Sequence, residues 1–199
     1  MTADESRPQQ LVLASASERR RDLLRQIGVE PVLVDPPHID ERHGARELPL
    51  AYVRRMALDK LAAVAPRHRG CWVLAADTVV ACGRRILPKA ETEEQARACL
   101  ALLGGRRHRV LGGIAVAAPD GRTSERVVTT IVAFKRLTRR EVDAYIATGE
   151  WHGKAGGYAI QGHAAALIPW INGSYGNVVG LSLSDAVAML VGLGWQDAG

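Results

Sequence analysis

In two places along this 199-residue chain an apolar run stops abruptly at residues able to do chemistry. Leu11-Val12-Leu13-Ala14 gives way to Ser15-Ala16-Ser17-Glu18-Arg19-Arg20-Arg21, and Trp72-Val73-Leu74-Ala75-Ala76 gives way to Asp77-Thr78. The first junction suits an anion. Ser17 is a good N-cap, and the free backbone N–H groups of a helix start point at whatever lies in front of them. The helix dipole, the hydroxyls of Ser15 and Ser17 and the cations Arg19 and Arg20 together suit a phosphate, without the glycines of a P-loop. A capping serine followed by solvated arginines is the plainer use of the same residues. The second junction suits general-base chemistry. Asp77 is expected at the C-terminal end of a central strand, where ligands collect in open α/β sheets. There a carboxylate orients or deprotonates water, although an Asp at a strand end also serves as a cap or turn residue. Thr78 beside it reads as a ligand contact or simply as a β-former.

Three more charges belong with these. Lys89 follows the Gly83-Arg84-Arg85 turn and can reach back over a phosphate, Lys60 lies on a helix between Leu58 and Leu61, and Glu41 is a loop carboxylate. Each also reads as an ordinary solvated charge. In Gly153-Lys154-Ala155-Gly156-Gly157-Tyr158-Ala159-Ile160-Gln161-Gly162 the dense glycines permit close backbone approach or positive φ. Gln161, set between Ile160 and Gly162, reads as aimed at a ligand. Ile171-Asn172-Gly173-Ser174-Tyr175 is a tight turn and, alone, a hairpin signal.

The elements that position these residues follow from spacing. Short strands are expected at Leu11–Ala14, Val32–Val34 and Trp72–Ala76, with a helix after Ser17 that ends near Gly28. Two prolines make 35–41 a loop. Apolar residues at helical spacing (Leu50, Val53, Ala57, Leu61, Val64) predict a helix over Pro49–Val64. Capping boxes at Thr92-Glu93-Glu94-Gln95 and Thr138-Arg139-Arg140-Glu141 open helices closed by Gly104-Gly105 and Gly149. Val110–Ala117 and Val127–Phe134 flank Pro119-Asp120-Gly121 as a hairpin, and a last helix runs from Leu183 to Leu193 before Gly194. Early strand–helix alternation with a hairpin in the middle predicts an α/β protein with a mixed sheet.

Composition narrows the partners. With 47% hydrophobic and 24% charged residues the chain has an ordinary soluble-domain composition, and no stretch is apolar enough to span a membrane. The polar Met1–Gln10 segment carries no export signal, and Cys71, Cys82 and Cys99 form no C-x-x-C pair, so mostly buried, reduced thiols in a cytoplasmic protein are expected. A net charge of +5 with pI near 9.4 points to an anionic partner. Aromatics are only 5% and there is no basic stripe, which argues against nucleic acid.

Taken together, Ser15-Ala16-Ser17-Glu18-Arg19-Arg20, Ala76-Asp77-Thr78-Val79-Val80, Lys154 to Gly162, and Ile171-Asn172-Gly173-Ser174-Tyr175 with Val179-Gly180-Leu181 resemble the Maf family of nucleoside triphosphate pyrophosphatases, also called septum formation proteins. The resemblance runs from about Leu11 to Trp195, in the family's order, so residues 1–199 are read as one domain. It implies a two-lobed mixed-sheet α/β fold around a nucleotide cleft, a requirement for Mg²⁺ or Mn²⁺, and often a homodimer. It also implies Asp77 as proton acceptor, Arg19, Thr78 and Gln161 at specificity positions, and Glu41, Lys60 and Lys89 at further site positions. The metal would sit on Glu41 and Asp77 with phosphate oxygens and water. The chain departs from the family pattern at Glu18, which replaces a proline, at Lys89-Ala90 for Lys-Pro, and at Gly180-Leu181-Ser182-Leu183 for G-L-P-L. An added carboxylate at 18 repels a triphosphate unless it points to solvent or helps hold the metal.

The expected reaction is attack of water between the α and β phosphorus atoms, giving a nucleoside monophosphate and pyrophosphate. Arg19, Lys60, Lys89 and the helix start share the developing charge. Related sequences acting on 7-methylguanosine triphosphate carry Asp-Gln and Glu where this chain has Asp77-Thr78 and Gln161, so the resemblance points to dTTP and UTP. An amide offers a donor and an acceptor to the imide edge of a pyrimidine. The competing readings are a 7-methylguanosine triphosphate pyrophosphatase and a non-catalytic nucleotide-binding regulator of division.

Overall fold

β1 (Leu11–Ala14) and β3 (Trp72–Cys82) lie side by side and parallel, with β2 (Leu33–Val34) parallel on the far side of β1. β1 and β3 are buried on both faces, as parallel strands covered by helices require, while the edge strand β2 leaves Leu33 exposed. β3 then pairs antiparallel with β6 (Arg107–Ala117), β6 with β7 (Thr123–Ala133), and β7 with β9 (Trp170–Asn172). β4 (Arg85–Leu87) folds back on the end of β3. The sheet order is β2-β1-β3-β6-β7-β9, mixed as expected. β5 (Lys89–Ala90) and β8 (Lys154–Ala155) form a separate two-stranded ribbon. The computed structural model describes residues 9–196, so the Met1–Gln10 segment, apart from its last two residues, lies outside the described residues.

Alternation along the strands sorts the core. Leu11, Leu13 and Leu74 face α1 (Glu18–Gln26) and α6 (Leu183–Gly192), packing on Leu23, Leu24, Met189 and Leu190. Val12, Ala14, Val73 and Ala75 face the opposite way, onto Ala57, Leu61 and Val64 of α2 (Pro49–Val64). Leu24 is fully buried, so Leu24→Ala would cost about 2–5 kcal/mol. A further cluster joins α3 (Glu93–Leu103), α4 (Arg139–Ala147), Tyr158, Ile160 and Leu167 around Phe134 and forms the second lobe.

Several local expectations shift. Asp77 stands in the middle of β3, not at its C-terminal end, because Thr78-Val79-Val80-Ala81-Cys82 continues the strand against β6. The register explains how it can still face a cleft. β1 stops pairing at Ala75 and β4 begins only at Val80, so Asp77 and Thr78 fall in a gap along one edge of β3. The Thr138 capping box forms in full. At Thr92 the side chain accepts from the Gln95 amide, but the Gln95 side chain bonds the Glu91 amide rather than closing the box. Both hairpin strands start earlier than the apolar run suggests, because Arg107–Arg109 and Thr123–Arg126 pair while presenting polar side chains. Gly173 leads from β9 into the short helix α5 (Tyr175–Val179) rather than closing a hairpin. Of the three free thiols only Cys99 is buried, with Cys71 and Cys82 half-buried.

Candidate active site

The gap in β3 opens into a cavity of about 460 Å³ between the lobes, within the usual size for a small-ligand pocket. Ser15, Ser17, Arg19, Arg20, Glu41, Lys60, Asp77, Thr78 and Lys89 all line it. Gln161 does not. It is exposed, one turn beyond the residues of its segment that reach the cavity, which are Gly153, Lys154, Ala155 and Tyr158.

Two buried cations organise the site. Lys60 reaches through the sheet face from α2, and its Nζ donates to Asp77 Oδ1 at 2.7 Å and sits 2.8 Å from Glu41 Oε1. Lys89 closes the row, donating to Glu41 Oε2 at 3.1 Å. Burial pushes the Glu41 carboxyl up, but the hydrogen bond from Lys60 and the charges of Lys60 and Lys89 outweigh it and hold the group at about 2. Lys60 is only 6% exposed, and it avoids the cost of a lone buried ammonium because two carboxylates meet it. Asp77 Oδ2 has no protein partner among the described residues and is not one of the buried orphaned atoms, so it faces the cavity.

Arg20 is the second buried cation, and its direct partners are neutral, with the charges of Asp77 and Glu41 acting on it only from beyond contact. Its Nε donates to the Gly180 carbonyl at 2.9 Å, one terminal nitrogen to Ser15 Oγ at 2.7 Å and the other to Thr78 Oγ1 at 3.1 Å. Thr78 Oγ1 in turn donates to the same Gly180 carbonyl at 3.2 Å. No described carboxylate comes within ion-pairing distance of it. Burial lowers the affinity of this guanidinium for its proton, and burial does the same to half-buried Arg19. Ser17 takes the N-cap position of α1, yet its hydroxyl caps nothing, and its own N–H turns back to Ser15 Oγ at 3.3 Å. The loop thus keeps the Ser17 hydroxyl in reserve. Glu18, which replaces the family proline, lines the cavity as well, but its side chain is 75% exposed and its carboxylate lies 3.8 Å from Arg21.

Lys154 and the Gly180 carbonyl belong to the site and were not singled out from the sequence. Burial, then the charge of Arg19, lower the Lys154 ammonium, which puts both cations at one wall. Gly153 beside it opens onto the cavity, whereas Gly156 and Gly157 serve packing. Gly156 and Gly157 have φ of +68° each, and a Cβ on Gly156 would fall 2.8 Å from Val80 Cγ1. Among the described residues there is no cluster of three or more His, Cys, Asp or Glu side chains to hold a metal. Glu41 and Asp77 are hard oxygen donors of the kind that suits a Mg²⁺-type ion completed by phosphate oxygens and water; Lys60 holds one oxygen of each, and Asp77 Oδ2 stays free. No described helix is long and apolar enough to cross a membrane.

The model for "Maf-like protein" matches residues 10–193. A dTTP/UTP pyrophosphatase of Paramagnetospirillum magneticum is 63% identical over 93% of this chain and 97% of its own length. One of Rhodospirillum rubrum is 58% identical over 94% of this chain and 89% of its own. The solved Ham1 protein of Staphylococcus aureus shares 18% identity over 63% of this chain and 72% of its own, with a TM-score of 0.45. With the family model spanning both lobes and every residue around the cavity, this chain belongs to the Maf family of nucleotide pyrophosphatases.

Proposed function

We propose that this protein hydrolyses dTTP and UTP to the monophosphate and pyrophosphate, with Asp77 as general base. The observation that carries the reading is the pairing, in one cavity, of a carboxylate with a free oxygen and a buried guanidinium that makes no ion pair among the described residues. The relatives' shared description as dTTP/UTP pyrophosphatases supports the choice of pyrimidine nucleotides.

Arg20, Arg19, Lys154, Ser17 and the start of α1 receive the phosphate oxygens, and these oxygens supply the missing negative charge. Lys60 holds Asp77 through Oδ1 and leaves Oδ2 to take a proton from the attacking water. Lys89, tied to Glu41 in the free protein, is placed to swing onto the leaving pyrophosphate. Glu41 and Asp77 would hold a Mg²⁺ or Mn²⁺ ion, which would supply Lewis-acid polarisation of phosphoryl oxygens. Thr78 sits at the floor of the cavity as a specificity residue, and Gln161 at its exposed approach is assigned the lesser part. We read the protein as cytoplasmic, in keeping with its free thiols, and as a homodimer, which light scattering measures.

A panel of nucleoside triphosphates with Mg²⁺ or Mn²⁺, followed by pyrophosphate release, tests the reading. Pyrimidine triphosphates give the highest kcat/KM. Release of single phosphates, or no turnover with any nucleotide, overturns it and favours the regulator.

A further inference from the structure

The segment from Gly173 to Gly180 was legible only as a turn, yet it is bolted into the sheet by a side chain with no contact to the cavity. Asn177 on α5 is completely buried. Its Nδ2 donates to the Val110 carbonyl and to Thr130 Oγ1, both at 3.1 Å, and lies 3.4 Å from the Val128 carbonyl. Those acceptors fix the amide's orientation, since turning it over would set Oδ1 against two carbonyl oxygens. Oδ1 accordingly faces Gly112 and has no partner. A Cβ at 112 would lie only 2.0 Å from it, so no side chain but glycine's admits Asn177 here. Thr130 Oγ1 also accepts from the Ser174 N–H and donates to the Ser174 carbonyl, which pins the front of α5.

Gly112 pairs with Thr78 across the β3–β6 ladder, and Gly113 pairs with Asp77. On the opposite face a Cβ at Gly113 would lie 2.3 Å from the Val53 carbonyl of α2, the helix that carries Lys60. The two glycines therefore let one helix approach each face of the sheet directly behind the reactive pair. α2 delivers Lys60 to Asp77, and α5 ends in Gly180, whose carbonyl takes both Arg20 and Thr78.

We infer that Asn177 is a positioning residue for the anion clamp: by seating α5 against Gly112 it sets the Gly180 carbonyl, and through it the Arg20 guanidinium and the Thr78 hydroxyl. The inference rests on the phosphate role proposed for Arg20. An amide that merely stabilised the fold would act independently of Arg20. One that works through Arg20 loses its effect once the guanidinium fork is gone.

The test is a double-mutant cycle of Asn177→Ala with Arg20→Lys, read as KM and kcat for dTTP and as affinity for inorganic triphosphate by calorimetry. Asn177→Ala is expected to raise KM and to weaken triphosphate binding about tenfold with kcat within about threefold, and to add less than about twofold in the Arg20→Lys background. Additive losses, or a lowered Tm with unchanged triphosphate affinity, overturn it. Should Asn177→Ala fail to fold, Thr130→Val removes one acceptor of the same amide and serves in the same cycle. Inorganic triphosphate needs no turnover, so a protein inactive on dTTP would defeat the proposed function while the cycle still decides the role of Asn177.

Discussion

Arg20 and Lys60 are both cations buried at one cavity, and they are buried in opposite ways. Lys60 lies between two carboxylates at 2.7 and 2.8 Å, while Arg20 has a hydroxyl on either side and a backbone carbonyl behind. A neutralised cation has little left to offer an incoming phosphate. Its work is to orient the acids it holds. A cation surrounded by neutral acceptors keeps its field, and in a partly dry site that field is strong. One half of the cavity thus has its buried cation paired without ligand, whereas the other is left short of negative charge. A polyphosphate chain supplies what Arg20 lacks and leaves Lys60 with its acids.

The sharpest way to break this division is at Asp77. Asp77→Asn keeps the shape and removes the base, so kcat should fall about 10²–10⁴-fold with KM nearly unchanged, as measured by pyrophosphate release. Near wild-type turnover would move the base elsewhere. Stability separates the two cations next. Lys60→Met leaves Asp77 buried without its partner and should cost about 3–5 kcal/mol in chemical unfolding. Arg20→Met strands only neutral acceptors, at about 1–3 kcal/mol, and its larger effect should fall on nucleotide KM. Equal costs would mean that the surroundings of the two cations do not differ as described.

Acid sharpens the same contrast. Glu41 is held at about 2, below its unfolded value, so its pairing contributes stability that is present above the ordinary carboxylate range and lost as pH falls through about 2. Unfolding midpoints between pH 5 and 2 should decline less steeply in Glu41→Gln than in the wild type. An unchanged slope would remove Glu41 from the pairing. The smallest effect concerns base choice. Thr78→Gln should shift the kcat/KM ratio of dTTP to 7-methylguanosine triphosphate, by roughly the 1–3 kcal/mol of one mispaired polar group. Gln161→Glu alone should shift it less, since its side chain is exposed outside the cavity lining. A larger shift from Gln161 would bring that residue into the base pocket.

The strands and helices were largely legible because their signals are local. Leu11–Ala14 is a continuous apolar run, and Thr138 with Glu141 is a cap written in neighbouring residues. Even the burial of Lys60 had a trace, since it continues the buried face Val53-Ala57-Leu61-Val64 of its own helix. What escaped depends on register between distant segments. Asp77 faces a cleft from mid-strand because β1 and β4 stop short on either side, which no single strand can announce. Gly112 matters because Asn177, far along the chain, packs onto it, and Gly180 acts through a carbonyl that every residue type possesses. The glycines around Lys154 divide in a way spacing does not show: Gly153 lines the cavity, while Gly156 and Gly157 pack on Val80 and α3.

The interruption along β3 has a dynamic side as well. From Ala76 to Val79 the strand has β6 on one edge and no strand on the other, although it lies inside a seven-stranded sheet. Peptide groups that point into this gap should exchange their protons with solvent as those of an outer strand do, while their neighbours toward β6 should stay protected. Amide exchange at these few positions therefore registers the filling of the cleft without any chemical turnover. The peptide backbone of the reactive strand is itself a gauge of occupancy.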